Sequence, residues 1–495
     1  VTSATALVAA PGRSFFGQPA GLATLFFTEM WERLSFYGMR ALLVLFLVDS
    51  VAHGGLGLDD RTATAIYGLY VGATYIAALP GGWIADRLIG SQSAVLVGAL
   101  LITCGHGLLW LAPTSAAFFA GLFVIVLGTG LLKPNASALV AQLYPEGGAR
   151  RDAGFTIYYV GINIGATLGP LIAGALAQRY GWSYGFLTAA LGMAAGLLQF
   201  LWWRPLLGGA GRAAVRDPGV AGRRALPGAA LLVLAAALLI GSGALHASAT
   251  LLQSLATGAI LAIAVGYFAW LLFGAGLDRA GRARILALLV LFIASTLFWA
   301  GYEQTGSSLN LFAERYTDRH WLSFVIPASA FQSLNPIYIV LFGPLFSLLW
   351  VRLARRALDP STPLKFMFGL LGMAAGFLVM AAAARLVAAG HTVGMGWLTA
   401  TYLLHTWGEL SLSPVGMSAT TRLVPARLVG QGLGLWFVSL ALGNLLASRI
   451  AGTFDPAHPE SMPAQFMHIV WFGVLCAAGL ALSLPLMRRW MNQAS

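Results

Sequence analysis

From residue 21 to residue 487 the chain runs through apolar stretches of about twenty residues or longer, joined by short polar connections. Lipid offers the backbone no hydrogen bonds, so such stretches cross it only as helices or as a closed barrel. Barrel strands of about ten residues would alternate apolar and polar positions; these stretches do not. The chain is therefore read as an all-α membrane protein. Its 58% apolar and 9% charged residues stand far from the roughly 25% charged of a soluble domain. A net charge of +12 does not point to nucleic acid, because the basic residues are scattered singly and in pairs with no aromatic-interleaved face. Cys104 and Cys476 lie inside apolar stretches as small hydrophobes and imply no disulfide.

Fourteen spans are predicted, at 21–48, 62–87, 93–112, 116–143, 153–177, 183–203, 228–246, 251–275, 285–312, 328–353, 364–388, 395–422, 428–452 and 465–487. Most cations between the spans fall on the side of the two chain ends, among them Arg87, Arg151, Arg204, Arg223, Arg282, Arg355 and Arg422. The positive-inside rule makes that side cytoplasmic, with both termini there. Val1–Ala20, with an apolar patch too short for a signal sequence, is read as a cytoplasmic tail. Residues 204–227 are rich in Gly, Arg and Pro and read as a linker; the spans at 228–246 and 251–275 contain no Asp, Glu, Lys or Arg and read as lipid-facing inserts. The expected organisation is residues 1–204 as an N-terminal six-helix bundle, 205–282 as linker and two extra helices, and 283–495 as a C-terminal six-helix bundle.

Charges sit where lipid should forbid them. Glu29, Glu32, Arg33 and Arg40 lie in the first span, Lys133 in the fourth, and Asp86 at the inner end of the second. With the two inserts left out of the count, Glu303 lies in the seventh and Glu409 in the tenth. A charge at the bilayer centre costs roughly 2.5–3.5 kcal/mol on insertion scales, so each should face a protein-lined cavity and a partner. Spans 1, 4, 7 and 10 recur every three helices, as nested three-helix repeats of a transporter would give. On the first span, residues three and four apart place Glu29, Glu32 with Arg33, Phe36 with Tyr37, and Arg40 in one stripe. Lys133, followed by Pro134, needs a carboxylate partner. Asn163, Asn335 and Asn444 are buried amides, and Tyr70, Tyr75, Tyr158, Tyr159, Trp299 and Trp436 are candidate cavity aromatics. His106 and His405 are read as packing residues. No metal-spaced His/Cys/Asp/Glu set occurs, and no Ser with a base on a facing span, so neither a metal site nor an enzyme is expected. A channel suits buried charges on both halves less well than alternating access does.

Several stretches resemble a known family. Glu29-Met30-Trp31-Glu32-Arg33-Leu34-Ser35-Phe36-Tyr37-Gly38 resembles the E-x-x-E-R-F-x-Y-Y signature of proton-dependent oligopeptide transporters. Phe155-Thr156-Ile157-Tyr158-Tyr159-Val160-Gly161-Ile162-Asn163 resembles the family's second signature, and Gly81-Gly82-Trp83-Ile84-Ala85-Asp86-Arg87 the loop motif of the wider major facilitator superfamily. Lys133-Pro134-Asn135, Phe298-Trp299 with Glu303-Gln304, and Gly408-Glu409-Leu410 match the pattern of spans 4, 7 and 10. Leu34 and Phe36 depart from it, standing where the signature has Phe and Tyr.

The resemblance implies a major facilitator fold with two extra transmembrane helices between the halves, as in bacterial members, in a bacterial inner membrane. It implies a proton-coupled symporter of di- and tripeptides, with no cofactor and the proton gradient as driving force. Glu29, Glu32, Arg33, Lys133 and Glu303 would couple protons. Arg40 and Lys133 would attract the peptide carboxylate, and Glu409 with Asn163 and Asn335 would receive the amino terminus. Tyr37, Tyr70, Tyr75, Trp299 and Trp436 would line side-chain pockets, and Arg40 with Glu303 would close an outer gate. A monomer is expected. The alternative is a proton-coupled carrier of another small solute, nitrate or a drug-like peptidomimetic; Glu409, suited to an ammonium, favours peptide.

Overall fold

Helices satisfy their own backbone, so each apolar run condenses into one long helix. The computed structural model describes residues 14–111, 114–145, 148–212, 248–425, 428–454 and 458–492. The first half comprises α1 (Gly21–Val48), α2 (Asp60–Ile84), α3 (Ser91–Leu111), α4 (Ser115–Gln142), α5 (Gly148–Tyr180) and α6 (Trp182–Trp203). After them come α7 (Ala249–Ala269), α8 (Arg279–Tyr302), the short α9 (Ser308–Tyr316), α10 (Leu334–Arg355), α11 (Thr362–Ala388), α12 (Gly396–Leu423), α13 (Val429–Ala451) and α14 (Met462–Asn492). Eleven helical spans among the described residues are long and apolar enough to cross a membrane. Helices α1 and α12, 28 residues each, are long enough too, but α1 carries four charges and the apolar character of α12 is broken by the polar residues His405, Glu409, Ser411 and Ser413. The span expected at 228–246 lies outside the described residues.

The span expected at 285–312 falls within one candidate crossing, Arg279–Tyr316, but its helix is broken. Residues 285–312 are not a continuous helix: α8 stops at Tyr302, a tight turn occupies Glu303–Gly306, and α9 restarts at Ser308. The interruption is locked by side chains. Gln304 Nε2 donates to Ala447 O of α13 (3.1 Å), Ser308 Oγ donates to Gln304 Oε1 (2.5 Å), and Tyr402 Oη donates to Thr305 O (3.3 Å). Gly306 lies so close to the Tyr67 hydroxyl that no side chain fits there.

Small residues let helices approach where lipid supplies no hydrophobic drive for association. Helix α1 lies along α5 and α6, α3 along α4, and α12 along α11. At the α1–α5 crossing, Gly165 and Gly169 face the backbone carbonyls of Met30 and Leu34. Between the halves, α2 packs along α13, and α5 against α10 and the turn Ala328–Ser333. Helix α7 lies outside, across the α2–α13 seam. It is pinned to α13 by Gln253 Nε2, which donates to Leu445 O (3.1 Å) and Ser448 Oγ (2.5 Å), and by Tyr267 Oη, which donates to Gln431 Oε1 (2.7 Å). The face at which α1 begins and α14 ends is called the terminal face below, and the other the far face. On the far face Thr317–Asp318 pairs in parallel with Val393–Gly394.

The α1–α5 approach predicts a stability difference. A Cβ at Gly165 meets a backbone carbonyl that cannot yield, and overpacking of this kind costs about 1–3 kcal/mol. Gly107 of α3 has nothing within 4 Å of its missing Cβ. Thermal unfolding in detergent should show Gly165→Ala melting below the parent and Gly107→Ala melting at or above it. Equal melting of the two variants would mean that α1 and α5 are not in close contact.

Candidate functional site

The stripe predicted on α1 is buried, and its charges are held by one another. Arg33 Nε lies 3.2 Å from Glu29 Oε1 and also bonds Glu32. Tyr158 Oη of α5 donates to Glu29 Oε2 at 2.7 Å. Glu32 Oε1 and Arg33 Nη2 remain buried without a partner, so the cluster is incompletely satisfied, which is costly in a site of low polarity. Lys133 on α4 makes no ion pair among the described residues. Its ammonium sits 4.4 Å from the centroid of the Tyr75 ring, a cation–π contact that partly replaces the missing carboxylate. Glu32, Glu29, Arg33 and Glu303 are the charges that act on it from further away. Pro134 lies inside α4 without ending it.

One helical stretch further along α1, Arg40 is 5% exposed and Glu303 3%. Arg40 Nη2 pairs with Glu303 Oε2. Arg40 Nε donates to Tyr67 Oη at 2.6 Å, and the guanidinium lies over the Tyr37 and Tyr67 rings. This pair joins the two halves. More contacts join them towards the far face: Arg315 forks onto Asp60 (2.6 and 2.8 Å), Asn310 Nδ2 donates to Ala41 O (2.8 Å), and Gln178 Nε2 donates to Val325 O (3.0 Å).

On the opposite wall stands Glu409 of α12. Its Oε2 accepts from Tyr302 Oη (2.7 Å) and from Asn335 Nδ2 (2.8 Å). Asn335 also donates to Thr406 Oγ1 (3.1 Å). Glu409 Oε1 accepts no bond among the described residues. His405, one turn away, is fully buried between Phe377 and Tyr302 with neither ring nitrogen bonded.

These walls enclose a cavity of about 170 Å³, lined among others by Tyr37, Arg40, Tyr75, Tyr159, Asn163, Trp299, Tyr302, Glu303, Gln332, Asn335 and Glu409. Opposite charges thus face one enclosed space. Gln332 Nε2 and Trp299 Nε1, on two residues that line it, are buried without partners. Asn163 spends its amide on Tyr159 O of its own helix (2.9 Å). Tyr75, Tyr159 and Ile162 are shared with a second, mostly apolar cavity of about 730 Å³ that also touches Lys133, Ser137, Tyr158, Met417 and Phe437. Tyr159 and Met417 remain 48% and 41% exposed, so this space is open, while Arg40 and Glu303 are paired on the wall of the smaller cavity.

Two expected wall residues lie elsewhere. Trp436 packs in the core against Phe366 (6.4 Å between ring centroids) and Gly416, and lines neither cavity. Tyr70 stacks on Phe36 (6.2 Å), its hydroxyl buried and unbonded; the phenylalanine at 36 offers it no partner. The sequence pattern does not single out Tyr67, Tyr302 and Gln332, and it marks Tyr158 only as a cavity aromatic. Tyr67 lies one turn before Tyr70 on α2 and Tyr302 directly before Glu303, so adjacency to candidate site residues is the available signal.

A family model described as POT family matches residues 92–467. A peptide transporter of Yersinia enterocolitica is 41% identical, with 97% of each chain covered. A di-/tripeptide transporter of Lactococcus lactis is 35% identical over 90% of this chain and 91% of the relative. A crystal structure of a peptide transporter in complex with sulfate superposes with a TM-score of 0.91 at 38% identity, covering 98% of both chains. The architecture is that of the major facilitator fold.

Closure by the Arg40–Glu303 pair is testable without reference to substrate. Removing one partner leaves a buried uncompensated charge, which costs about 3–5 kcal/mol. Ser329, 1% exposed, lines a far-face vestibule between the halves. In a chain with Cys104 and Cys476 replaced by serine, Ser329→Cys should react slowly with a maleimide added on the far side. Adding Glu303→Gln should speed that reaction several-fold. No change would mean that Asp60–Arg315 and its neighbours suffice to hold the far face shut.

Proposed function

The chain belongs to the POT family, and on that premise we propose that it is a proton-coupled symporter importing di- and tripeptides by alternating access. The observation that carries the reading is the placing of Arg40 and Glu409 on one enclosed cavity, one cation and one carboxylate. A peptide zwitterion brings the complementary pair. Arg40, with Lys133 nearer the larger cavity, would hold the carboxylate; Glu409 Oε1, free of protein donors, would accept the ammonium, with Asn335 and Asn163 beside it. Gln332 and Trp299, the two unpartnered donors, suit the carbonyl oxygens between. Tyr37 and Tyr75 would line side-chain space. Trp436 and Tyr70 would act behind that wall, through packing. The names of the relatives support the same class of substrate. A carrier of nitrate alone would have no use for Glu409.

Proton coupling is assigned to Glu29, Glu32, Arg33, Lys133 and Glu303. Protonation of Glu303 would release Arg40, freeing it for the peptide carboxylate and unfastening the far face. A ligand or proton shifts such an equilibrium only by binding one state better than the other. Glu303 bonded to Arg40 favours the form open at the terminal face; Glu303 protonated favours the reverse. Near Lys133, the unpartnered oxygen of Glu32 is the natural acceptor of a second proton. With the cation-rich terminal face in the cytoplasm, the conformation described above is inward-facing. We propose that the protein works in the bacterial inner membrane as a monomer, with residues 1–204 and 283–495 as the rocking bundles and 205–282 between them.

Uptake of labelled dialanine into proteoliposomes, with and without an inward proton gradient, tests the function. Gradient-driven accumulation is expected, and its absence with dialanine and trialanine alike would overturn the reading. Glu32→Gln should abolish accumulation while counterflow exchange survives. A charge-assisted hydrogen bond contributes about 1.5–3 kcal/mol, roughly one to two decades of affinity. Glu409→Gln should therefore weaken dialanine by about that factor and leave N-acetyl-dialanine, already a poor competitor, almost unchanged. Equal losses for both would show that Glu409 does not hold the amino terminus and would favour a non-peptide solute.

A further inference from the structure

We propose that Tyr302 is a specificity-determining positioning residue, whose hydroxyl holds the Glu409 carboxylate so that its second oxygen is presented to the ammonium group of the ligand. The inference rests on the reading of Glu409 as the amine site and extends it to a residue that touches no ligand charge itself.

Two donors converge on a single oxygen of Glu409, Tyr302 Oη at 2.7 Å and Asn335 Nδ2 at 2.8 Å. The other oxygen receives none among the described residues, and Glu409 lines the central cavity. A carboxylate bound at one oxygen only can no longer rotate freely about its last bond, so the free oxygen has a fixed direction. Pre-set geometry of this kind raises affinity by removing the ordering cost of binding. The two donors are unequal. Asn335 divides its amide between Glu409 and Thr406. Tyr302 has one proton to give and gives it to Glu409.

The Tyr302 ring is itself clamped. It stacks on Phe298 (5.5 Å between centroids, 25° between planes), meets Trp299 edge-on (5.2 Å) and lies 6.1 Å from His405. It is 7% exposed and ends α8, where the helix is interrupted. The hydroxyl is therefore delivered to Glu409 by a ring with little freedom, from an element other than the helix that carries Glu409. No packing need is met by the hydroxyl: a phenylalanine would fill the same ring space. Its one bond is the bond to the carboxylate.

The test is a double-mutant cycle read by competition against labelled dialanine uptake in proteoliposomes. The competitors are dialanine and N-acetyl-dialanine; the proteins are the parent, Tyr302→Phe, Glu409→Gln and the double variant. Tyr302→Phe should weaken dialanine about tenfold and change N-acetyl-dialanine by less than twofold. On the Glu409→Gln background the same change should alter neither by more than twofold, since the group it positions is gone. Tyr302→Met, which also lacks the hydroxyl, should repeat the pattern if Tyr302→Phe yields little protein. Equal weakening of both competitors by the Tyr302 variants, or full additivity with Glu409→Gln, would overturn the proposal alone. Equal weakening of both by Glu409→Gln would overturn the amine assignment, and the proposal with it.

Discussion

A charge taken into a bilayer must find its solvation in the protein, and the Arg40–Glu303 pair is where this structure most depends on that rule. Each group alone would be buried without compensation, which is worth several kcal/mol against the fold. Together they tie α1 of the first half to the break after α8 of the second. The bond is strong because the surroundings are dry, and it can be released only by changing the charge on one partner or by supplying another. On the proposed mechanism a proton would do the first to the carboxylate, and an anionic ligand group would do the second to the guanidinium. On that mechanism, fixed closure and conditional opening would come from the same low polarity.

The break at Glu303–Gly306 concentrates this coupling. Glu303 reaches α1, Gly306 abuts Tyr67 of α2, Thr305 accepts from Tyr402 of α12, and Gln304 donates to α13. Four helices from both halves meet one irregular turn. Irregular backbone is tolerated at membrane depth only where protein or a cavity surrounds it, and here both do. A continuous helix would have turned these side chains around the axis at even intervals. The tight turn lets Tyr302 face Glu409 while the next residue faces Arg40.

Much of this was legible beforehand, because hydrocarbon makes charge conspicuous. Glu29, Glu32, Arg33, Arg40, Lys133, Glu303 and Glu409 stand out in apolar runs from their cost alone, and all seven lie in or beside the cavities and clusters described. The partners of those charges were not legible. Tyr67, Tyr158 and Tyr302 are aromatic residues in apolar helices, where a ring carries the same signal whether its hydroxyl faces a carboxylate or nothing. Tyr70 shows the second outcome and Tyr302 the first. Trp436 illustrates the same ambiguity from the other side, since its helix presents it to Phe366 and not to the cavity. The break in span 7 was hidden for a different reason. Nothing in Glu303-Gln304-Thr305-Gly306 except the glycine disfavours helix strongly, and the bonds that hold it open come from α12 and α13.

The two cavities divide the recognition problem by polarity. The smaller is ringed by opposite charges and unpartnered donors, so what it accepts must match it atom by atom; an unmet donor or charge there costs more than a met one returns. The larger is walled mainly by aromatic and aliphatic groups, where burial is favourable without regard to direction. On the proposed reading, a ligand with a constant polar backbone and a variable side chain would fit that division, its backbone in the first space and its side chain reaching into the second past Tyr75, Tyr159 and Ile162. Lys133 sits in the second space, over Tyr75 at the boundary, and this is what makes its lack of a carboxylate consequential. A ring face holds an ammonium more weakly than a carboxylate does, so on the proposed mechanism Lys133 would take whichever anion next comes within reach, the side chain of Glu32 or a group brought in with the ligand.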